Sequence, residues 1–457
     1  MSTCSKLYRA GTLTYTWGGV IVLFFWLLGG DFVWSMKERA VGSIATLIVK
    51  SFGISDFIYG ILIVSFPNFT NIVLGPIISY KSDRYRSRLG RRIPFLLFTT
   101  PFVVVGICGI GFSPQLGKLL QGMIGAAELS RETASLIVFC VFWVILDFGT
   151  TLTNSIFTAL MNDVVPGCFL GRFFSLFRAV SLGAGVLFNY CFLEKVEQYS
   201  TIMCVGLGIL YAAGLLSLCV HVKEGQYPPV SGEPQGTETG KRGNPLPAVK
   251  TYFRESFSHP YYRWVFLSYT LCTLTNMPVN IFTIFYAQSV NMSMAELGRC
   301  LAVTYIISFS LCYLLGVLAD RFHPLRMTAC SIALYGAVMI GGGLWADSRM
   351  GFAVFLIAHG VAAGTFNTAS ASLTLRLFPQ ERFAQFNSAM GILICLGWTL
   401  GAPVLGKILD WCGNRYILTF WMGLFLSCIA LLSLIVVYRY FRQYGGFDSY
   451  RAPSPRE

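Results

Sequence analysis

Long apolar runs separated by short polar or charged segments dominate this sequence. Runs of about 20 residues match a helix that crosses the roughly 30 Å hydrocarbon core of a bilayer, at about 1.5 Å per residue. The pattern predicts six membrane helices in the first half of the chain and six in the second. They cover residues 12–36, 53–80, 93–112, 133–162, 170–193 and 200–221, then 263–290, 296–319, 325–346, 350–375, 383–410 and 413–441.

The gap between the two sets of helices contains PPVSGEPQGTETGKRGNPLP, which is rich in Pro, Gly and charge and cannot bury a core. The sequence therefore predicts an all-α membrane protein with an N-terminal six-helix bundle over 1–221 and a flexible cytoplasmic linker over 222–262. A C-terminal six-helix bundle follows over 263–441, and 442–457 form a cytoplasmic tail. The first apolar run is interpreted as a membrane helix rather than a signal peptide.

Charge supports a membrane protein and indicates its orientation. Charged residues make up 12% of the chain, against about 25% in soluble domains, and 34 Lys and Arg face 21 Asp and Glu. The cations flank apolar spans, so they indicate topology rather than nucleic-acid binding, with both termini cytoplasmic in the cell (inner) membrane. The 14 cysteines are scattered singly and the four histidines do not cluster, so neither a disulfide framework nor a metal site is expected.

Two motif pairs relate the halves. Asp83-Arg84 follows helix 2, and Asp320-Arg321 follows helix 8 at the same spacing from a small residue. Pro166 precedes an Arg-Phe-Phe-Ser segment that opens helix 5, and Pro379 precedes Gln-Phe-Asn-Ser at the same offset before helix 11. These pairs indicate two copies of one unit, as in many transporters.

The run GPIISYKSDRYRSRLGRRIPFLLF (75–98) resembles the helix 2 to 3 signature of the major facilitator superfamily. The form is that of sucrose/proton symporters and of glycoside-pentoside-hexuronide:cation symporters. FWVILD (142–147), GRFFSLFRAVSLGAG (171–185), GVLADR and QFNSAMG extend the resemblance to both halves. Two positions depart from it: Ser79 replaces a Gly of the general signature, and Thr158 stands where sucrose symporters carry Arg.

The charges of the helix 2 to 3 signature and its second-half copy are predicted to form a conformational latch. An Asp at a cytoplasmic helix end can meet the positive N-terminus of another helix in one state only, with a contribution on the order of 1 kcal/mol. The alternative is that these charges only set topology. The predicted latch residues are Asp83, Arg84, Arg91, Arg92, Asp320 and Arg321.

Ionisable side chains at membrane depth are the predicted coupling site, since each costs at least about 2.5 kcal/mol unless paired or hydrated. Counting along helices 4 and 5 places Asp147 and Arg178 at similar depths, where they could pair. Asp147 is the predicted proton- or sodium-binding group and Arg178 its partner; a purely structural ion pair is the alternative. Asp31 is a further coupling candidate, expected near the outer surface, and Asp56 shares that expected depth.

Polar side chains on helical faces are the predicted substrate site, because neutral amides and hydroxyls suit a polyhydroxyl substrate. Asp147, Thr151, Asn154 and Thr158 recur on one face of helix 4, and helix 7 repeats the pattern around Pro278, a predicted kink. The predicted substrate-binding residues are Thr151, Asn154, Tyr269, Asn276, Asn280, His359, Asn367 and Asn387.

The resemblance implies alternating-access symport of a sugar or glycoside with a cation, H⁺ or Na⁺, and no other cofactor. A proton-coupled exporter or a carrier of a non-sugar solute is the alternative on the same fold. A membrane enzyme or receptor is disfavoured, because the chain has no phosphate loop, HExxH or GxSxG motif. The expected partners are the small-molecule substrate and the bilayer, without nucleic acid, and the expected state is a monomer.

Overall fold

The computed structural model describes residues 7–124, 129–225, 246–379 and 382–453; of these, the side chains at 79–80, 83–84, 171, 246–251, 319–320, 384 and 448 lie outside the description. The first half begins with an antiparallel hairpin that pairs Tyr8 with Tyr15. Its elements are β1 Tyr8–Ala10, β2 Leu13–Tyr15, α1 Trp17–Ser51, α2 Asp56–Tyr59, a π-helical turn Gly60–Ser65, α3 Phe66–Arg84, α4 Ile93–Ile124, α5 Arg131–Val164, α6 Leu170–Cys191 and α7 Val196–His221.

The second half is helical throughout its described part. Its elements are α8 Leu246–Phe257, α9 Pro260–Leu274, α10 Met277–Ser289, α11 Met294–Phe322, α12 Pro324–Trp345, α13 Arg349–Ser370, α14 Leu373–Leu377, α15 Phe383–Trp411, α16 Leu418–Gln443 and α17 Gly446–Ser449. Helix α8 lies inside the predicted linker, so part of that segment is ordered as a helix.

The predicted twelve spans are confirmed. Eleven helices of the described chain are long and apolar enough to cross a bilayer. The seventh span is divided into α9 and α10, each too short to cross by itself. The division falls just before Pro278, which lies near the start of α10, as the predicted kink requires. The Tyr335 hydroxyl donates to the freed Thr275 carbonyl oxygen at 3.2 Å, which satisfies that backbone group inside the protein.

The predicted first span, 12–36, is wrong at both ends. Residues 13–15 form β2, and α1 begins after Thr16, whose hydroxyl accepts a hydrogen bond from the Gly19 amide at 3.2 Å. The helix then continues through the charged residues at 37–39 to Ser51. It can do so because Lys37 and Glu38 pair with one another, and because an apolar stretch follows them.

The contacts divide the chain into two compact units. Unit 1 comprises Met1–Ser55 and Phe69–Glu233; unit 2 comprises Asp56–Asn68 and Pro234–Glu457. The division follows the predicted halves, except that the first part of the second span belongs by its contacts to unit 2.

Each unit has its own apolar core. In unit 1, α1, α4, α5, α6 and α7 pack around Leu27, Leu96, Leu160, Phe173 and Leu218. Glycines let α4 and α5 approach closely: a Cβ at Gly106 would lie 2.7 Å from the Cα of Leu146. In unit 2 the core is rich in aromatic side chains. It includes Tyr261, Tyr262, Phe266, Phe366, Phe386 and Phe441.

Candidate functional site

Asp147 lies in the middle of α5, whose bounds are Arg131 and Val164. The residue is 7% exposed, and its side chain lies beside the Thr70 hydroxyl. Its Oδ2 atom has no hydrogen-bond partner among the described residues. A buried carboxylate oxygen in this condition is costly, so the position can accept a proton or a cation.

Asp31 lies further from the end of its helix than the predicted span 12–36 implies. Because α1 runs from Trp17 to Ser51, Asp31 is fourteen residues from its start and twenty from its end, near the middle. The residue is fully buried. Ser35 donates a 3.4 Å hydrogen bond to Oδ1, whereas Oδ2 has no partner in the described part of the chain. Asp31 thus joins Asp147 as a second buried carboxyl group at mid-helix.

A charged pair on α1, with a buried lysine and a half-exposed glutamate, escapes the sequence analysis. The Lys37 Nζ lies 2.5 Å from Glu38 Oε1, and the side chains are 3% and 50% exposed, respectively. The ammonium also lies 3.8 Å from the ring centroid of Trp34. Asp147 interacts electrostatically with both residues. The sequence does contain a signal for this pair. Opposite charges stand next to each other at Lys37 and Glu38, and an apolar run follows them, so one helix can continue through the charges.

The structure does not form the predicted pair of Asp147 and Arg178. Arg178 lies near the middle of α6, but it is exposed, and no ion pair joins it to Asp147 in the described chain. Asp147 instead has Lys37 as its nearby cation. Equal depth along two helices does not fix the direction in which a side chain points, which explains the difference.

The polar face of α5 is divided between buried and accessible positions. Thr151 is 7% exposed, whereas Asn154 and Thr158 are exposed. The exposed Asn154 amide, about two turns from the buried Asp147 carboxyl group, provides hydrogen-bond donors and an acceptor on the same helix.

In unit 2 the structure brings together two of the predicted substrate residues. His359, at the middle of α13 and 2% exposed, has its Nε2 atom 3.0 Å from Asn280 Oδ1. Its Nδ1 atom lies 2.9 Å from the hydroxyl of Tyr335, a residue that the sequence analysis missed. Asn280 itself is exposed, so the buried His359 orients an accessible amide.

The remaining predicted substrate residues of unit 2 lie on three helices or beside them. Tyr269 is half-buried on α9, next to Ser370, and Asn276 is buried at the start of α10. Asn367 on α13 and Asn387 on α15 are exposed. The backbone amide of Asn280 donates to the Asn276 carbonyl oxygen at 3.1 Å, and among the described residues no side-chain hydrogen bond joins these four to another predicted substrate residue.

Two of the predicted latch arginines hold the end of α5. Arg91 binds Asp163 through two nitrogens at 3.1 and 2.7 Å, and Arg92 adds a contact at 3.2 Å. Such forked contacts favour Arg over Lys. Arg321 is exposed, with its guanidinium 5.6 Å from the ring centroid of Phe322. The side chains of Asp83, Arg84 and Asp320 lie outside the described residues.

Glu224, also missed by sequence analysis, binds the start of α4. Its carboxylate accepts hydrogen bonds from the backbone amides of Arg91, Arg92 and Ile93 at 2.9, 2.8 and 2.7 Å. Gly90, with φ of +111°, makes room, since a Cβ there would lie 2.5 Å from the Glu224 side chain. Asp163 and Glu224 together satisfy the backbone and the arginines of the signature within unit 1.

The fold and the buried polar groups are those of a membrane transporter, and comparison with known proteins identifies the family. A family model described as MFS/sugar transport protein matches residues 43–381. The chain therefore belongs to this family of sugar transporters, a family of transporters rather than enzymes, and it is a multi-pass membrane protein.

Curated relatives are similar over part of their length. Sucrose transport protein SUT5 of Oryza sativa subsp. indica is 31% identical over 98 residues, which cover 21% of this chain and 18% of that protein. Sucrose transport protein SUT2 of the same subspecies is 24% identical over 247 residues, 50% of this chain and 47% of that protein. The chain thus spans about half, or less, of the length of these relatives.

Solved structures share the fold. A structure of the nucleoside transporter NupG matches with a TM-score of 0.64 at 10% identity, covering 92% of this chain and 99% of that one. A D-xylose-proton symporter matches with a TM-score of 0.61 at 13% identity, covering 96% and 98%. At these identities the likeness establishes the architecture of the major facilitator superfamily and leaves the substrate to other observations.

Proposed function

We propose that this protein is a secondary active transporter that moves a sugar or glycoside into the cell together with a cation, H⁺ or Na⁺, by alternating access. The observation that carries the coupling is the pair of mid-helix carboxyl groups in unit 1. Asp31 and Asp147 each keep one buried oxygen without a hydrogen-bond partner among the described residues. A bound proton or sodium ion would satisfy such an oxygen and remove its charge from the membrane interior.

The substrate class is supported by the family and by the accessible neutral groups. Sucrose transport proteins are among the relatives, and a xylose symporter is among the structures with the same fold. Exposed amides at Asn154 in unit 1, and at Asn280 in unit 2, offer both donors and acceptors to sugar hydroxyls. We assign Asp147 as the principal cation-binding group, with Asp31 as a second buried carboxyl group in the same unit.

The proposal also includes a monomer in the cell (inner) membrane with both termini in the cytoplasm. The distribution of Lys and Arg supports this orientation. No cofactor beyond the coupling ion is needed. A proton-coupled exporter or a carrier of a non-sugar solute remains the second candidate, because the same fold and buried carboxyl groups serve either direction.

The test is uptake of labelled disaccharides and monosaccharides into proteoliposomes under an imposed pH or sodium gradient. Wild type should accumulate one of these sugars under one of the gradients. Asp147→Asn should lose accumulation and keep substrate exchange, because exchange needs no net movement of the ion. Asp347→Asn, at an exposed position after α12, serves as the matched control and should behave as wild type.

Failure of wild type to take up any sugar under either gradient would remove the sugar assignment and favour the second candidate. Sugar uptake that equilibrates under both gradients and never accumulates would instead contradict the coupling.

A further inference from the structure

Lys37 is a buried lysine of α1, one of the helices long and apolar enough to cross a membrane. Its side chain is 3% exposed, its ammonium contacts Glu38 at 2.5 Å, and the Trp34 ring covers it at 3.8 Å. A buried lysine is costly without an acidic partner, and ionisable residues inside the spans of transporters mark ion pathways. The pair is also asymmetric, because half of the Glu38 side chain is exposed.

The surroundings of the pair contain a second acid that can receive the ammonium. Asp147 on α5 interacts electrostatically with both Lys37 and Glu38, and its Oδ2 has no hydrogen-bond partner among the described residues. Arg39 on α1 and Tyr211 on α7 also interact electrostatically with Glu38. Asp147 is thus the acid on a neighbouring helix that the ammonium can meet.

We propose that Lys37 is an exchangeable counter-ion, which pairs with Glu38 while Asp147 holds its proton or sodium ion and pairs with Asp147 once that ion leaves. This inference rests on the proposed function, in which Asp147 binds the coupling ion. It assigns Lys37 and Glu38 as positioning residues for coupling, which neither the family match nor the sequence pattern assigns.

The asymmetric exposure makes the exchange feasible. When Lys37 leaves Glu38, the exposed Glu38 carboxylate can be hydrated, so the separated charge is not stranded in a dry interior. The Asp147 residue is only 7% exposed, so its carboxylate gains more from the ammonium once its bound ion has left than the half-exposed Glu38 carboxylate does. A lysine suits this role because its flexible four-carbon stem lets one compact charge reach two acceptors.

The first test separates accumulation from exchange in proteoliposomes. Lys37→Gln should lose gradient-driven accumulation of the transported sugar, because an emptied Asp147 has no counter-ion and retains its cation. Exchange should persist. Glu38→Gln should also lose accumulation, since Lys37 then stays with Asp147. Accumulation by Lys37→Gln and Glu38→Gln at the wild-type level would overturn the proposal.

The second test does not depend on transport. A double-mutant cycle of Lys37→Gln and Asp147→Asn is measured by thermal unfolding of the purified full-length protein. The single Lys37→Gln change leaves acids without their cation and should lower the melting temperature. Adding Asp147→Asn should restore part of that loss, so the two shifts should fail to add by about 2 °C or more.

Lys118→Gln provides the control cycle, because Lys118 is an exposed lysine of α4. Its shift and that of Asp147→Asn should add. Additive shifts for Lys37 and Asp147 would overturn the proposal, even where wild type accumulates sugar. Conversely, a lack of sugar accumulation by wild type would contradict the proposed function. The double-mutant cycle would still report whether Lys37 and Asp147 interact.

If Lys37→Gln fails to fold, the cycle is run with Glu38→Gln and Asp147→Asn. Glu38→Gln alters a half-exposed side chain in place of the buried lysine. The proposal then expects the two shifts in melting temperature not to add. A Lys37 freed from Glu38 stabilises an ionised Asp147, and it cannot stabilise an Asn at the same position in this way. Additive shifts in this cycle would overturn the proposal as well.

Discussion

At the scale of single residues, His323 illustrates how packing decides the charge of a titratable group. It connects α11 to α12, outside the membrane-spanning segments, with a positive φ of 69°. Its Nδ1 accepts a hydrogen bond from the Leu325 amide at 3.2 Å. Burial lowers the pKa of His323 to about 4, and the cationic Arg376 and Arg326 add to the effect.

This shift predicts a loss of stability in acid. The unfolded chain binds a proton at His323 below about pH 6.5, whereas the folded protein does so only near pH 4. Stability should therefore fall as the pH drops from about 6.5 to about 4, and His323→Gln should reduce this loss. Thermal unfolding of both proteins between pH 4 and 7.5 measures it.

Arg376→Gln removes one of the cations that lower the pKa of His323. The pKa should therefore move back towards its ordinary value, and the pH range over which stability is lost should become narrower. A slope between pH 4 and 6.5 that is identical in wild type and His323→Gln would contradict the assignment to this histidine.

The residue scale also shows which site residues the sequence could reveal. Asp147 and His359 stand in apolar runs, so their position near mid-helix could be predicted from counting. Lys37 and Glu38 are harder to recognise, because three adjacent charged residues interrupt the apolar pattern of the first span. Tyr335 looks like any aromatic residue of a membrane helix, and only packing places its hydroxyl against His359.

At the scale of elements, close approach of α2 to α15 depends on glycine. A Cβ at Gly406 would lie 2.3 Å from the Asp56 carbonyl oxygen. One turn further along α15, the Asp410 carboxylate accepts hydrogen bonds from the amides of Asp56 and Phe57 at 2.9 and 3.1 Å. These contacts hold the start of the second span within unit 2.

Gly406→Ala should destabilise the protein by about 1–3 kcal/mol, because the added methyl group overpacks a backbone contact that cannot yield cheaply. Gly391→Ala on the same helix is the matched control, since a Cβ there meets nothing within 4 Å. It should be neutral or stabilising by up to about 1 kcal/mol through helix propensity. Thermal unfolding in detergent compares them, and equal melting temperatures would refute the packing argument.

Glu224 makes a second prediction at this scale. Glu224→Ala removes the acceptor for three amides at the start of α4 and should cost about 0.5–2 kcal/mol. Lys223→Ala, at the exposed neighbouring position, should change little. The measurement is the melting temperature of each variant. A Glu224→Ala loss no larger than that of Lys223→Ala would show that water replaces the carboxylate at no cost.

At the scale of the whole molecule, the order of spans predicts which face of the membrane each connection occupies. With the N-terminus in the cytoplasm, the connection before α6 is cytoplasmic and the one after α15 is outside. Each contains an exposed cysteine, Cys168 and Cys412. The two thiols therefore report opposite faces of the membrane.

A membrane-impermeant maleimide added to intact cells should label Cys412 and leave Cys168 unlabelled until the membrane is permeabilised. Variants with a single remaining cysteine give the assignment, and Cys412→Ser provides the background signal. Labelling of Cys168 before permeabilisation would reverse the proposed orientation.

The sequence by itself determined the number of spans, their grouping in two halves and the family. Each of these depends on local or repeated features: apolar length, charge at span ends and the signature over 75–98. It also located the kink at Pro278, because a proline cannot donate its backbone hydrogen bond.

The tertiary structure alone decided the partners of the polar groups. A helix can continue through Lys37 and Glu38 only where packing buries one charge and leaves the other half exposed. Counting along the helices predicts similar depths for Arg178 and Asp147, yet Arg178 is exposed and no ion pair joins the two in the described chain. Side-chain direction depends on how each helix is rotated against its neighbours, and that rotation is set by contacts between residues distant in the chain.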